Sequence, residues 1–345
     1  MPIKNAIEPD NNAPVNPLER LSGILDDDMR CVNELIIDHM QSDIALIPQL
    51  AGYLIASGGK RIRPLLTLAC TRLFNNISER PFGLAASVEF IHTATLLHDD
   101  VVDGSKERRG KKAANLVFGN QASVLVGDFL FSRAFQLMTA DGSLEILRIL
   151  SDASATISEG EVKQLITTSN MATTMDDYIA VISAKTAALF AAACEIGPVI
   201  AEQDKEAQEA LRLYGLHLGL SFQIMDDVLD YSANQEKLGK AIGDDFREGK
   251  ITAPILMALK NANDEERAFW DRCLTKPKEQ QEEDLPRAIE ILNARDAHSA
   301  SKELAMHHAQ LAKDSLSKIE KSAAYDNALK EILCDIADYT VNREF

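Results

Sequence analysis

The sequence has almost none of the alternating Val, Ile and Thr stretches that build sheets, and that absence argues against a β-rich or mixed fold. Apolar residues recur instead every three or four positions through nearly every long segment, the period of an amphipathic helix. We therefore expect an all-α protein, with helical patterns over 18–40, 43–57, 62–75, 79–103, 115–140, 143–168, 175–201, 204–232, 253–273, 285–320 and 323–341. No Pro/Gly/Ser-rich linker and no short repeat array divides them. The 345 residues, 46% apolar, are expected to form one domain over 18–345 after a polar, disordered tail at 1–17.

Positive charge is also in short supply, with 36 Lys and Arg against 53 Asp and Glu and a net charge of −17. That balance argues against a protein that grips nucleic acid or anionic lipid by bulk charge, so any anion site must be locally basic. Cysteine is sparse: Cys31, Cys70, Cys194, Cys273 and Cys334 are odd in number and scattered, with no pair at zinc-finger spacing. A reduced, cytoplasmic setting fits. The first residues lack both the apolar core of an export signal and the Arg-rich pattern of a transit peptide. The most apolar run, 178–201, is broken by Lys185 and Glu195, too much charge for a lipid-facing helix.

What the chain does have is one acidic pattern twice: Asp99-Asp100-Val101-Val102-Asp103, and 127 residues later Asp226-Asp227-Val228-Leu229-Asp230. Each ends a long apolar helical pattern. On a helix the first and last aspartate of each set share a face, while the middle one lies about 100° round. Like charges at that spacing repel, and the negative end of the helix dipole adds to the repulsion. A cation is therefore expected at both places. Oxygen ligands without His or Cys suit a hard divalent ion such as Mg²⁺, which binds one or two carboxylates together with substrate phosphates.

Local basic groups answer these aspartates. Gly58-Gly59-Lys60-Arg61-Ile62-Arg63-Pro64 combines a free backbone, three cations and a proline suited to a helix start, so a phosphate could sit there. It is no P-loop, which needs a longer Gly-to-Gly spacing and Ser or Thr after the Lys. Arg108 and Arg109 follow the first acidic set, and arginine forks grip phosphate in two places at once. Lys185, with Thr186 beside it, lies inside an apolar helix where an unpaired ammonium is costly, so it is expected to face an anion-filled cavity. The glycine-punctuated segment 239–250 supplies Lys240 and Lys250 on a loop that could close over diphosphate. His307 and His308 are read as polar-face residues of a C-terminal amphipathic helix.

In order, the segments GGKRIRP at 58–64, HTATLLHDDVVDGSKERRG at 92–110, KTA at 185–187, FQIMDDVLD at 222–230 and GKAIGDDFREGK at 239–250 resemble the trans-polyprenyl diphosphate synthases. These are the head-to-tail isoprenoid chain-elongating enzymes. The resemblance implies the isoprenoid synthase fold, a helical bundle around a large central cavity with the acidic motifs on facing walls, and a homodimer. It implies Mg²⁺, three ions with substrate bound, held by Asp99, Asp103, Asp226, Asp227 and Asp230, with Asp100 completing the first motif. Arg108, Lys185, Thr186, Gln223 and Lys240 would hold the allylic diphosphate. Lys60, Arg63, His92 and Arg109 would hold isopentenyl diphosphate, and Lys250 would help close the site.

Product length is addressed by the helix over 79–103, about 37 Å long at 1.5 Å per residue, whose positions before Asp99 descend along a deep wall. In the resembling family a bulky aromatic near Ala94 and Thr95 forms the floor of short-chain enzymes. The small residues here therefore imply a long product, octaprenyl to decaprenyl, of the kind that becomes a quinone side chain. Such a product could bring the chain into transient membrane contact on release. Rival readings are a shorter-chain geranylgeranyl or farnesyl diphosphate synthase, a terpene cyclase, and a non-catalytic subunit of a heteromeric synthase. The cyclase should lack an isopentenyl site and the subunit should have lost site residues; neither loss is seen.

Overall fold

The computed structural model describes residues 16–56, 58–108, 110–231, 242–321 and 324–343. Arg109, Lys240 and most of the expected N-terminal tail lie outside these residues. The order is α1 (Pro17–Ile24), α2 (Asp26–His39), α3 (Leu46–Ala56), α4 (Ile62–Arg72), α5 (Arg80–Val102), β1 (Glu107–Arg108), β2 (Lys111–Lys112), α6 (Ala114–Phe118), α7 (Asn120–Asp141) and α8 (Leu144–Thr167). Then follow α9 (Met175–Ile182), a π-helical turn (Ser183–Ala187), α10 (Ala188–Ile200), α11 (Lys205–Leu229), α12 (Asp244–Arg247), α13 (Ala253–Lys260), α14 (Asp264–Thr275), α15 (Asp284–Ala294), α16 (Ala297–Leu316) and α17 (Asn327–Asn342). The all-α expectation holds. The one pair of strands among the described residues is an antiparallel hairpin of two residues a side, with Glu107 opposite Lys112.

Several expected helices are each two. The pattern over 115–140 breaks at Gly119, whose φ of 87° no helix accommodates, and that over 285–320 breaks at Asp296 with φ 52°. The 3.6-residue periodicity survives such kinks because the apolar stripe continues on the far side, so periodicity alone runs the segments together. Start signals match the sequence better: Ser143 accepts the Ile146 N–H at the head of α8, and Thr174 with Asp177 forms a capping box at α9.

The main core is built from the inner stripes of α4, α5, α7, α10 and α11, including Leu66, Phe90, Leu130, Phe190 and Tyr214. A second apolar cluster of Tyr231, Phe246, Trp270, Leu274 and Ile291 lies under the loop after α12, and Leu256 packs against both. The run Met175–Ile200 is long and apolar enough to cross a membrane by length and composition, but α10 is a core helix with Leu189, Phe190, Ala193, Cys194 and Ile196 buried. Close approach fixes α11 against this run. A Cβ at Gly215 would lie 2.8 Å from Ala191 Cα, and one at Gly219 would lie 2.7 Å from Ala187 Cα. Those two glycines, one helical turn apart, let the helix carrying the second acidic motif pass against α10 and the end of the π-turn carrying Lys185.

Candidate active site

The first motif sits on the last turn of α5, with Asp103 as its C-cap. Asp99 and Asp103 share a face as helix geometry requires, and each meets a cation from a distant part of the chain. The Lys185 ammonium lies 3.5 Å from Asp99, and the Lys250 ammonium donates to Asp103 at 3.3 Å. Asp100 points elsewhere. It is 1% exposed and is held by Arg108 at 2.6 and 2.7 Å, while its carbonyl accepts from the buried amide of Asn115. Asp100 and Arg108 therefore form an ion pair beside Asp99, and Asp100 lies off the face that Asp99 and Asp103 share. Burial raises the Asp99 pKa, with Asp103 adding to the effect and Lys185 and Arg108 opposing it.

Lys185 and Thr186 lie on the π-turn, a widened turn of the kind found at functional sites. The turn aims them at two different partners. Lys185 donates to Glu161 of α8 at 2.8 Å, while Thr186 donates through its hydroxyl to Gln223 at 2.8 Å. Gln223 in turn donates to Asp227 at 2.8 Å, and Tyr178 donates to the other Asp227 oxygen at 2.6 Å. Asp227 is buried, and its pKa is raised well above the usual carboxylate range by burial and by Asp245. Sequence reading gave Asp227 to the metal. In the structure its two oxygens each accept one hydrogen bond, from Tyr178 and from Gln223.

Asp226 is half-buried. Its partner is Arg343, close to the C-terminus, which also donates to the Phe222 carbonyl at 2.8 Å and lies 3.9 Å over the Phe222 ring. Asp230 accepts the backbone N–H groups of Asp244 and Asp245 at 3.3 and 3.1 Å, so it caps α12 and fixes the loop that leads to Lys250. Lys250 also pairs with Glu248 at 2.5 Å. Burial lowers its pKa, but Asp245, Asp103 and Glu248 outweigh that and raise it, keeping the amine charged.

Lys185, Thr186, Gln223, Asp227, Asp245 and Lys250 line one cleft. Lys185 and Lys250 join it to the first motif, since both line the cleft beside Asp227 while contacting Asp99 and Asp103. On the expected isopentenyl side, the Arg63 guanidinium lies 4.4 Å over Phe190, and Phe190 packs 5.6 Å from Phe222. Lys60 is exposed, its ammonium 6.0 Å from the Tyr339 ring centre, and His92 is half-buried. The loop before α4 is anchored by Arg61, which takes a left-handed conformation and pairs with buried Glu89 at 2.6 Å. Ala94 is fully buried and Thr95 half-buried. Ser87 and His98, on the same stripe of α5 as Ala94, contact the Ala134 and Val124 carbonyls, so this stripe faces α7.

Sequence reading missed Glu161, Tyr178, Glu248 and Arg343. Glu161, Tyr178 and Arg343 are isolated polar residues outside the quoted motifs, Glu248 lies within the 239–250 segment without a role assigned to it, and only the fold shows what each touches. It also placed His308 on a polar face. His308 is half-buried, 3.2 Å from His217 through the two Nδ1 atoms, while His307 is exposed.

The site suits a hard cation. Its acidic donors are all oxygen, and burial raises both Asp99 and Glu161. Among the described residues no three acidic, His or Cys side chains converge closely enough to hold a metal unaided. That is the situation in which Mg²⁺ takes one or two carboxylates and completes its shell with water and substrate phosphate.

Comparison with known proteins agrees with this geometry. The chain matches the polyprenyl synthetase family over residues 44–292. It is 47% identical over 249 residues to the octaprenyl diphosphate synthase of Escherichia coli, covering 72% of this chain and 77% of that one. A polyprenyl synthase from Caulobacter crescentus, solved in complex with calcium and isoprenyl diphosphate, superposes with a TM-score of 0.90 at 49% identity, covering 96% of this chain and 99% of that one. A decaprenyl diphosphate synthase from Rhodobacter capsulatus gives 0.89 and 47%, covering 95% and 100%. A match over most of the chain, together with an all-α fold in which both acidic motifs end long helices, places this protein in the polyprenyl synthetase family, as a prenyltransferase.

Proposed function

We propose that this prenyltransferase is a long-chain trans-polyprenyl diphosphate synthase, condensing isopentenyl diphosphate head to tail onto an allylic diphosphate. The product is octaprenyl to decaprenyl in length and serves as a quinone side chain. One observation carries the reading: Lys185 and Lys250 line one cleft with Asp227 while contacting Asp99 and Asp103, so carboxylates for cations and ammonium groups for diphosphate come together.

Asp99 pairs with Lys185, Asp103 with Lys250 and Asp226 with Arg343. Substrate exchanges these partners. The lysines pass to the allylic diphosphate, and Asp99, Asp103 and Asp226 are left to hold Mg²⁺. Bound there, Mg²⁺ stabilises the negative charge that grows on the leaving diphosphate. Asp227 and Tyr178 fix Gln223, which fixes Thr186, so this face of the cleft is pre-organised before substrate arrives. The allylic carbon–oxygen bond breaks with its electron pair going to the diphosphate. The isopentenyl double bond attacks the resulting cation, and the proton then lost passes to the departing diphosphate. Lys60, Arg63 and His92 hold the isopentenyl diphosphate without metal, which keeps its own carbon–oxygen bond intact while its neighbour ionises. Arg109 and Lys240 belong to the same reading by their motifs.

The homodimer and the cytoplasmic setting belong to it as well. Leu116, Val117, Val124 and Leu125 leave an exposed apolar strip along α6 and the start of α7 that a second copy would cover. The deciding experiment incubates the purified chain alone with farnesyl diphosphate, isopentenyl diphosphate and Mg²⁺, and measures the products by chromatography and mass. Octaprenyl to decaprenyl products are expected. Elongation that stops at geranylgeranyl length would refute the long-chain reading, and no elongation by a folded chain would point to a non-catalytic subunit.

A further inference from the structure

Lys185 has two carboxylate neighbours, and the nearer is not the motif aspartate. Its ammonium donates to Glu161 at 2.8 Å and stands 3.5 Å from Asp99. The ammonium is thus held mainly by α8, and Asp99 keeps only a longer contact with it. Packing enforces this arrangement. Gly160, next to Glu161, brings α8 against the π-turn so closely that a Cβ there would lie 2.7 Å from Ala184 Cβ and 2.9 Å from the Lys185 backbone nitrogen. Glu161 also retains a buried oxygen, Oε1, that has no hydrogen-bond partner among the described residues. A carboxylate kept only to knit two helices together would have both oxygens satisfied, because burying one unmet costs free energy.

We propose that Glu161 is a positioning residue of the allylic-diphosphate site, which holds Lys185 off Asp99 so that the Asp99 carboxylate stays available to a divalent cation and the ammonium stays available to diphosphate. The inference rests on reading this cleft as the metal and diphosphate site. Without Glu161, the Lys185 ammonium has one carboxylate within 4 Å left among the described residues, Asp99. It would then compete with the metal for that group.

The argument predicts a specific pattern of non-additivity. Mn²⁺ is titrated into the full chain with inorganic diphosphate present, and the bound fraction is read by electron paramagnetic resonance. The variants are Glu161→Gln, Lys185→Ala, the double variant, and Glu159→Gln, an exposed position on the same helix. Glu161→Gln is expected to weaken Mn²⁺ binding about tenfold, the lower end of the loss found when a group orienting a metal's ligands is removed. Glu159→Gln should match the unaltered chain. In the Lys185→Ala background the Glu161→Gln change should have no effect, since Glu161 acts through Lys185. In turnover, Glu161→Gln should raise KM for the allylic diphosphate and leave KM for isopentenyl diphosphate unchanged, a split that general loosening of the fold would not give.

A full effect of Glu161→Gln in the Lys185→Ala background would overturn the proposal, because Glu161 would then act directly. Normal Mn²⁺ binding by Glu161→Gln would overturn it too. If Lys185→Ala itself left diphosphate-dependent Mn²⁺ binding unaltered, the reading of the cleft would fall, which is a separate result.

Discussion

Asp227 offers the sharpest test of which carboxylates hold metal. Its two oxygens accept from the Tyr178 hydroxyl at 2.6 Å and the Gln223 amide at 2.8 Å, in a buried setting. Replacing it with Asn keeps an acceptor for Gln223, and the new amide N–H can donate to the Tyr178 oxygen. One charge-assisted bond is lost, but a buried charge is removed with it, so the net cost should be about 1 kcal/mol or less. Asp227→Ala leaves both donors without an acceptor, about 1–3 kcal/mol each, or on the order of 2–6 kcal/mol together. An unfolding entropy of about 2.1 cal/mol/K per residue over 345 residues turns that into a fall in Tm of about 3–8 °C. Tyr178→Phe should cost about 1.5–3 kcal/mol, since the hydroxyl donates to a carboxylate.

The same variants, assayed for Mn²⁺ binding with diphosphate, divide structure from ligation. Asp227→Asn should bind within about threefold of the unaltered chain, and Asp226→Asn should lose about tenfold or more. Calorimetry supplies the stability arm and paramagnetic resonance the metal arm. Equal loss of Mn²⁺ in Asp226→Asn and Asp227→Asn would refute the assignment, as would a Tyr178→Phe variant of unchanged Tm.

Two further outcomes are expected. Ala94→Phe, on the α5 stripe that faces α7, should shorten the products resolved by mass spectrometry, and unchanged lengths in a folded variant would remove Ala94 from the product wall. The second concerns pH. Burial, then His217 and His307, lowers His308 from 6.5 to about 4, and Arg212 and Lys318 add positive charge around its partner His217. The unfolded chain therefore takes up a proton near pH 6.5 that the folded chain refuses until about pH 4, so this contribution to stability is present above 6.5 and lost as pH falls through that window. Tm measured from pH 7 to pH 4 should fall less steeply for His308→Gln, and identical slopes would show that the pair carries no such linkage.

Much of the fold follows from apolar period alone. What periodicity cannot carry is a change of helix type or a single-residue break, because both preserve the stripe. The π-turn at Ser183–Ala187 reads in sequence as uninterrupted helix, yet it is what aims Lys185 at Glu161 and Thr186 at Gln223. The hairpin of Glu107–Arg108 with Lys111–Lys112 is too short to leave any alternation.

The site was legible in part for a geometric reason. Helix spacing puts Asp99 and Asp103 on one face and turns Asp100 about 100° away, and the structure shows that division, with Arg108 holding Asp100. The same rule separates Asp227 from Asp226 in the second motif. Motif resemblance nonetheless groups them as metal ligands, because a motif records which residues occur together and not which way each one points. The partners were illegible for a different reason. Asp99, Asp103 and Asp226 meet cations that lie 86, 147 and 117 residues away in the chain, and no local pattern encodes such distances. Those pairings nonetheless decide the chemistry. Charges clustered at a helix end are tolerable only while each has a partner, so a site able to exchange lysine for metal must bring its lysines from elsewhere in the fold.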